Sequence, residues 1–174
     1  MQKTYKAYLK DITTFVFDVD GVFTDGSVLI TTSGELLRKM SIIDGYAVKT
    51  ALQKGYAICI ISGGSNEGVR ERLKGLGVTD IHLGVHDKKK TLMDYLEQYG
   101  IQPENVVYMG DDLPDIPAMQ EVVLPACPQG AVPEVKAICR YISHKNGGEG
   151  CVRDIIEQVL KVRNDWHGNY DAKA

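Results

Sequence analysis

The chain has 174 residues, 44% of them hydrophobic and 25% charged, which is enough to bury a proper core and points to one domain. Its formal net charge of -3 lacks the basic excess expected of nucleic-acid or membrane binders, and no apolar run approaches transmembrane length. The first eight residues hold no apolar signal core, and the four cysteines, without C-x-x-C spacing, read as reduced structural thiols, so a cytoplasmic protein is expected.

Phe15-Val16-Phe17 is an apolar run of strand type, stopped by Asp18-Val19-Asp20-Gly21. Residues i and i+2 of an extended chain share a face, so Asp18 and Asp20 would crowd each other at the strand's end. Two like charges so close call for a cation between them or a retained proton. A strand simply running out into a polar turn is the plainer alternative.

Residues Ser27 to Met40 read as a β-hairpin turning at Ser33-Gly34, inserted where a doubly wound fold would pass straight into a helix. Its Val28, Ile30, Leu36 or Leu37 need cover, either from another subunit or by folding back on the same domain. A helix is expected from Asp44-Gly45-Tyr46 to about Gln53. The second strand, Tyr56 to Ile61, ends at Ser62-Gly63-Gly64, with Ser65 or Asn66 capping a helix that carries Val69, Leu73 and Leu76.

A third strand over Asp80 to Leu83 precedes a helix from about Asp87 to Gly100. That helix opens on Lys88-Lys89-Lys90, where cations oppose the macrodipole. A solvated face is the ordinary explanation; Lys88, nearest the strand end, is the one that could hold a phosphate. The fourth strand, Val106 to Met109, runs into the acidic cluster Gly110-Asp111-Asp112-Leu113-Pro114-Asp115. Further strand-type runs lie at Val122 to Leu124 and Tyr141-Ile142. Gly147 to Gly150 reads as a flexible loop before a final helix from Cys151 to Leu160, and residues 165–174 read as a polar tail. The histidines, His82, His86, His144 and His167, are scattered, and none is assigned to a metal.

The pattern predicts an α/β fold, a Rossmann-like doubly wound parallel sheet over residues 1–164 with a hairpin insertion at about 27–41. Ligands of such sheets bind beyond the carboxyl ends of the strands, where all the loaded stretches fall. Asp18, Asp20, Ser62, Lys88, Asp111, Asp112 and Asp115 would then meet. A hard dication such as Mg²⁺ offsets the repulsion among the carboxylates, and the set suits phosphoryl transfer.

Asp18-Val-Asp20-Gly-Val, Ser62, Lys88 and Gly110-Asp111-Asp112-x-x-Asp115 resemble, in order and spacing, the four motifs of the haloacid dehalogenase superfamily. With the hairpin, Asp44-Gly45-Tyr46 and the Gly147 to Gly150 loop, nearly the whole chain resembles its 3-deoxy-D-manno-octulosonate 8-phosphate phosphatase family. The resemblance implies no cap domain, and a homotetramer in which a neighbour's hairpin closes the site. It implies hydrolysis of that sugar phosphate for lipopolysaccharide precursors. Asp18 would be the nucleophile that becomes an aspartyl phosphate. Asp20 would be the acid and base, holding a proton near neutral pH under the influence of neighbouring negative charge.

By the same resemblance Mg²⁺ is bound by Asp18, the Asp20 backbone carbonyl and Asp111, with Asp112 acting through water. Ser62 and Lys88 hold the phosphate, beside Gly63; Asp44 and Gly45 line the sugar pocket. Arg72 is the candidate for the sugar acid's carboxylate, a solvated helix arginine being the alternative. Relatives often carry Arg after the glycine of the second motif for eight-carbon sugars, or Glu for nine-carbon ones; this chain has Gly64. A nine-carbon 2-keto sugar acid 9-phosphate is therefore the rival substrate. A non-catalytic oligomerisation module of the same fold would lack motif residues, and all four motifs stand. A response-regulator receiver places its acidic pair after the first strand and its single aspartate after the third, unlike this chain.

Overall fold

The structure is a computed structural model that describes residues 4–166. A short helix α1 (Lys6–Leu9) leads into β1 (Thr14–Phe17), followed by a hairpin of β2 (Leu29–Ile30) and β3 (Leu36–Leu37). Alternating elements follow: α2 (Ile42–Gln53), β4 (Ala57–Ile61), α3 (Glu67–Gly75), β5 (Asp80–His82), α4 (Lys88–Tyr99) and β6 (Val106–Met109). The chain continues through α5 (Ile116–Met119), β7 (Leu124–Cys127), α6 (Pro133–Ile138), β8 (Tyr141–Ile142) and α7 (Cys151–Val162).

Six strands form one parallel sheet in the order β5-β4-β1-β6-β7-β8, with β2 and β3 paired apart from it. Because strand order departs in opposite directions on either side of β1, a crevice opens at its carboxyl end. Both faces of the sheet are covered, which is why its strands read as continuous apolar runs rather than alternating ones. Phe15, Phe17, Ile58, Ile60, Val107 and Met109 pack with residues of α2, α3 and α7 on one side. Val16, Cys59, Ile61, Val106 and Tyr108 pack with residues of α4, α5 and α6 on the other.

Asn66, not Ser65, caps α3, its side chain accepting from the Val69 N–H at 3.0 Å. The expected helix at Asp44 begins two residues earlier, at Ile42, so Asp44 sits in its first turn. The strand expected at Val122 to Leu124 lies instead at Leu124–Cys127, and Pro125 is inside it. Proline lacks the donor a central strand needs, which masked this run in the sequence. Of the expected tail, Asp165 and Trp166 are docked: Tyr56 donates to Asp165 at 2.6 Å and Trp166 packs against the core. The rest of the tail lies outside the described residues.

The loop from Gly147 is not a loose connector. Gly147 is buried, the Gly148 N–H donates to the Val22 carbonyl at 3.0 Å, and the Cys151 thiol reaches the same oxygen. A Cβ at position 147 would lie 2.0 Å from the Gly21 carbonyl oxygen, so only glycine lets this loop brace the segment that follows β1. Gly147→Ala is expected to lower unfolding free energy by about 1–3 kcal/mol, the usual cost of overpacking against backbone, measured by urea denaturation.

Candidate active site

The carboxyl ends of β1, β4 and β6, with the start of α4, enclose a cleft of about 440 Å³. Asp18, Asp20, Ser62, Gly63, Lys88, Asp111, Asp112 and Asp115 all line it. The residues singled out at the ends of separate strands are thus brought together.

Lys88 occupies the centre. Its ammonium lies 2.7 Å from Asp115 Oδ1 and 3.1 Å from Asp18 Oδ2, all three side chains being buried. Burial works to lower the lysine's pKa, but Asp115 and Asp18 outweigh it and hold the ammonium above its ordinary range. This pairing resolves the three lysines at the helix start. Asp87 caps the helix by accepting from the Lys90 N–H, Lys89 pairs with Glu121 and Lys90 pairs with Asp94. Each cation has a carboxylate partner in place of a favourable helix end.

Asp115 is more than a member of an acidic run. Fully buried, it accepts from Lys88, from the Tyr108 hydroxyl at 3.1 Å and from the Asp111 N–H at 3.1 Å. It therefore holds both the lysine and the loop that presents Asp111. Asp112 faces outward and caps the turn at Leu113–Asp115. Oxygens of Asp18, Asp111 and Asp115 lie within 4.8 Å of one another, so Asp115, not Asp112, completes the carboxylate cluster. Gly21, at φ +87°, makes room for Asp111: a Cβ there would overlap its carboxylate, 1.9 Å from Oδ2.

Asp18 Oδ1 is buried and has no hydrogen-bond partner. Asp115 already has its donors, so Asp18 and Asp111 are the carboxylates left needing positive charge, and the donor set fits a hard dication. Burial first, then Asp115, raises the Asp18 pKa to about 7; burial first, then Asp18, raises Asp111 to about 7.

Asp20 faces a cation rather than the negative charge expected of its neighbours. Arg38, just past β3, donates from Nε to Oδ1 at 2.7 Å and from Nη2 to Oδ2 at 3.2 Å. Ser62 is buried, its hydroxyl accepting from the Gly64 N–H at 3.3 Å.

Asp44, Gly45 and Arg72 are not brought into this cleft. Asp44 is wholly buried, and its Oδ1 accepts from the Arg153 N–H at 2.8 Å in the first turn of α7. It ties α2 to α7, and a pocket-lining role does not fit a side chain with no exposure. Arg72 lies with Leu37, Met40 and Val69 along a separate groove beyond the hairpin. Its guanidinium covers Gly45, where a Cβ would lie 2.7 Å from Nη2.

The haloacid dehalogenase-like hydrolase family matches residues 78–155. The 3-deoxy-D-manno-octulosonate 8-phosphate phosphatase KdsC of Salmonella typhi is 35% identical over 151 residues, 87% of this chain and 80% of the relative. The chain belongs to the KdsC family of haloacid dehalogenase-like hydrolases. Among solved KdsC structures, that from Yersinia pestis superposes with a TM-score of 0.91 at 30% identity, covering 94% of this chain and 88% of that one. The enzyme from Moraxella catarrhalis, solved with magnesium ion, phosphate ion and a KDO molecule, gives 0.89 at 32% identity, covering 92% of each chain.

In this KdsC relative, the site residues without an assigned role in the sequence were Asp115, Tyr108 and Arg38. Asp115 was visible as a third carboxylate but not as the hub. Tyr108 reads as strand core, and nothing in the sequence joins Arg38 to a residue 18 positions earlier. Folding lifts Asp18 and Asp111 above their ordinary 3.8, so the native state holds more protons than the unfolded chain between about 4 and 7. Their contribution to stability is thus full at low pH and lost as pH rises through about 7. Asp44, raised to about 6 by burial, acts in the same direction. Without Mg²⁺ the melting temperature should fall between pH 5 and 8, and added Mg²⁺ should restore more at pH 8 than at pH 5, read by scanning calorimetry.

Proposed function

We propose that this protein is a Mg²⁺-dependent phosphatase that hydrolyses 3-deoxy-D-manno-octulosonate 8-phosphate to the free sugar acid and phosphate, for lipopolysaccharide precursors. One observation carries the reading: Asp18 offers a buried, unpartnered Oδ1 at the cleft floor while Lys88 holds its other oxygen. The sugar acid comes from the KdsC relatives, one of them solved with KDO.

Asp18 Oδ1 attacks phosphorus, the bond from phosphorus to the sugar oxygen breaks, and Asp20, having taken a proton from water on Oδ2 in place of the longer Arg38 contact, gives that oxygen its proton. Asp20 then takes a proton from water, whose oxygen attacks the aspartyl phosphate, releasing inorganic phosphate and restoring Asp18. Lys88 has three N–H groups and spends two on carboxylates; the third and the Ser62 hydroxyl hold phosphoryl oxygens, beside Gly63. When bound by Asp18, Asp111 and the Asp20 carbonyl, Mg²⁺ neutralises charge on the phosphoryl group. Asp18→Asn should lower Mg²⁺-dependent phosphate release by at least about 10³-fold, and retained turnover would end the proposal. Comparing kcat/KM on eight- and nine-carbon sugar acid phosphates decides the substrate, a nine-carbon preference overturning this choice.

The working form is a homotetramer in which one subunit's hairpin covers a neighbour's cleft. Leu29 and Ile30 are 69% and 66% exposed on the hairpin, apolar surface that a neighbour would bury. Placing charge there with Leu29→Glu and Ile30→Lys should shift light-scattering mass from four chains toward one. The cysteines of the described chain are all free, as suits the cytoplasm, and no helix there is long and apolar enough to cross a membrane.

A further inference from the structure

Arg38 differs from the surface ion pairs of this protein. Its side chain is only 11% exposed, and Asp20's is 37%. Two of its nitrogens meet the two oxygens of Asp20, and the third, Nη1, donates to the Leu36 carbonyl at 2.9 Å. Asn66 Nδ2 donates to that same carbonyl, tying the base of the hairpin to the cap of α3. The guanidinium is thus held at every nitrogen, and it grips a carboxylate that the mechanism requires to face the reacting phosphate.

Space for it is provided by Gly64. A Cβ at that position would stand 3.1 Å from Asp20 Oδ2 and 3.5 Å from Arg38 Nη2, under the ion pair. Any larger side chain would press on one partner or the other. The missing substituent at position 64 and the arginine arriving from the hairpin are two halves of one arrangement.

We propose that Arg38 is a positioning residue for Asp20: its fork fixes the carboxylate's place in the cleft wall, so the hairpin base sets the aim of the proton-transfer group. The inference rests on Asp20 acting as acid and base. Lys88 cannot substitute, because its two contacts go to Asp18 and Asp115. A planar guanidinium fixes both the position and the tilt of a carboxylate, which a point charge does not. Misaiming a reacting group by about 1 Å costs up to about 10²-fold in rate.

The test is steady-state phosphate release from 3-deoxy-D-manno-octulosonate 8-phosphate with Mg²⁺. Arg38→Met should lower kcat about tenfold or more while KM moves less than about threefold, and Arg38→Lys should recover part of the loss. Gly64→Val should lower kcat from the other side of the pair, and combining it with Arg38→Met should cost little beyond either alone. Should Arg38→Met not fold, Gly64→Val alone carries the test. Wild-type kcat in Arg38→Met or in Gly64→Val would overturn the inference, as would a rise in KM with kcat unchanged, which marks a substrate ligand. The underlying reading is checked separately: an Asp20→Asn variant with wild-type kcat removes both, whereas a crippled Asp20→Asn beside a fully active Arg38→Met removes the inference alone.

Discussion

Burying one ammonium between two carboxylates is the constraint around which this protein is built. Lys88 comes from the first turn of α4, Asp18 from the end of β1 and Asp115 from the turn after β6. No one of them could sit there unpaired, because an uncompensated buried charge costs several kcal/mol or shifts its protonation. The three elements must therefore converge or none of them can close. That requirement places the ends of two neighbouring strands and one helix within a few ångströms, and it leaves Asp18 with one oxygen held and one free. The arrangement holds the Asp18 side chain in place while leaving one of its oxygens without a partner.

Charge in the cleft is divided rather than pooled. Lys88 serves the floor, and Arg38 serves the wall through Asp20. Asp111 has no lysine or arginine partner among the described residues, although its oxygens lie close to those of Asp18 and Asp115. The carboxylates thus differ in counter-charge: a buried ammonium for Asp18 and Asp115, a fork from the hairpin for Asp20, and neither for Asp111. The KdsC structure solved with magnesium and phosphate superposes on this chain over 92% of its length. An acidic site of this kind would otherwise repel the phosphate it is meant to receive.

Much of this was legible in the sequence, for identifiable reasons. The parallel sheet announced itself because strands covered on both faces become unbroken apolar runs, as in Phe15 to Phe17 and Val106 to Met109. Its cleft residues announced themselves because chemistry at strand ends interrupts those runs with charge. Pro125 hid a strand, since a rule about donors outweighed the apolar character of its neighbours. Asp44 is expected in the pocket from the family resemblance, and Arg72 because a guanidinium matches a carboxylate; neither shows its partner in one dimension. Only the fold shows that Asp44 meets the start of α7 and that Arg72 lies over Gly45. Arg38 escaped for the opposite reason: an arginine in a hairpin looks solvated until the hairpin's base is folded against β1.

The brace between Gly147 and the segment after β1 has a consequence for where the cleft is vulnerable. Gly21, whose backbone gives Asp111 its room, rests on a loop well over a hundred positions downstream. The strand before Gly21 is seated by β4 and β6, but the turn that follows is held by the Gly147 loop as well. Damage to that distant loop would therefore reach the cleft through Gly21 and Asp111.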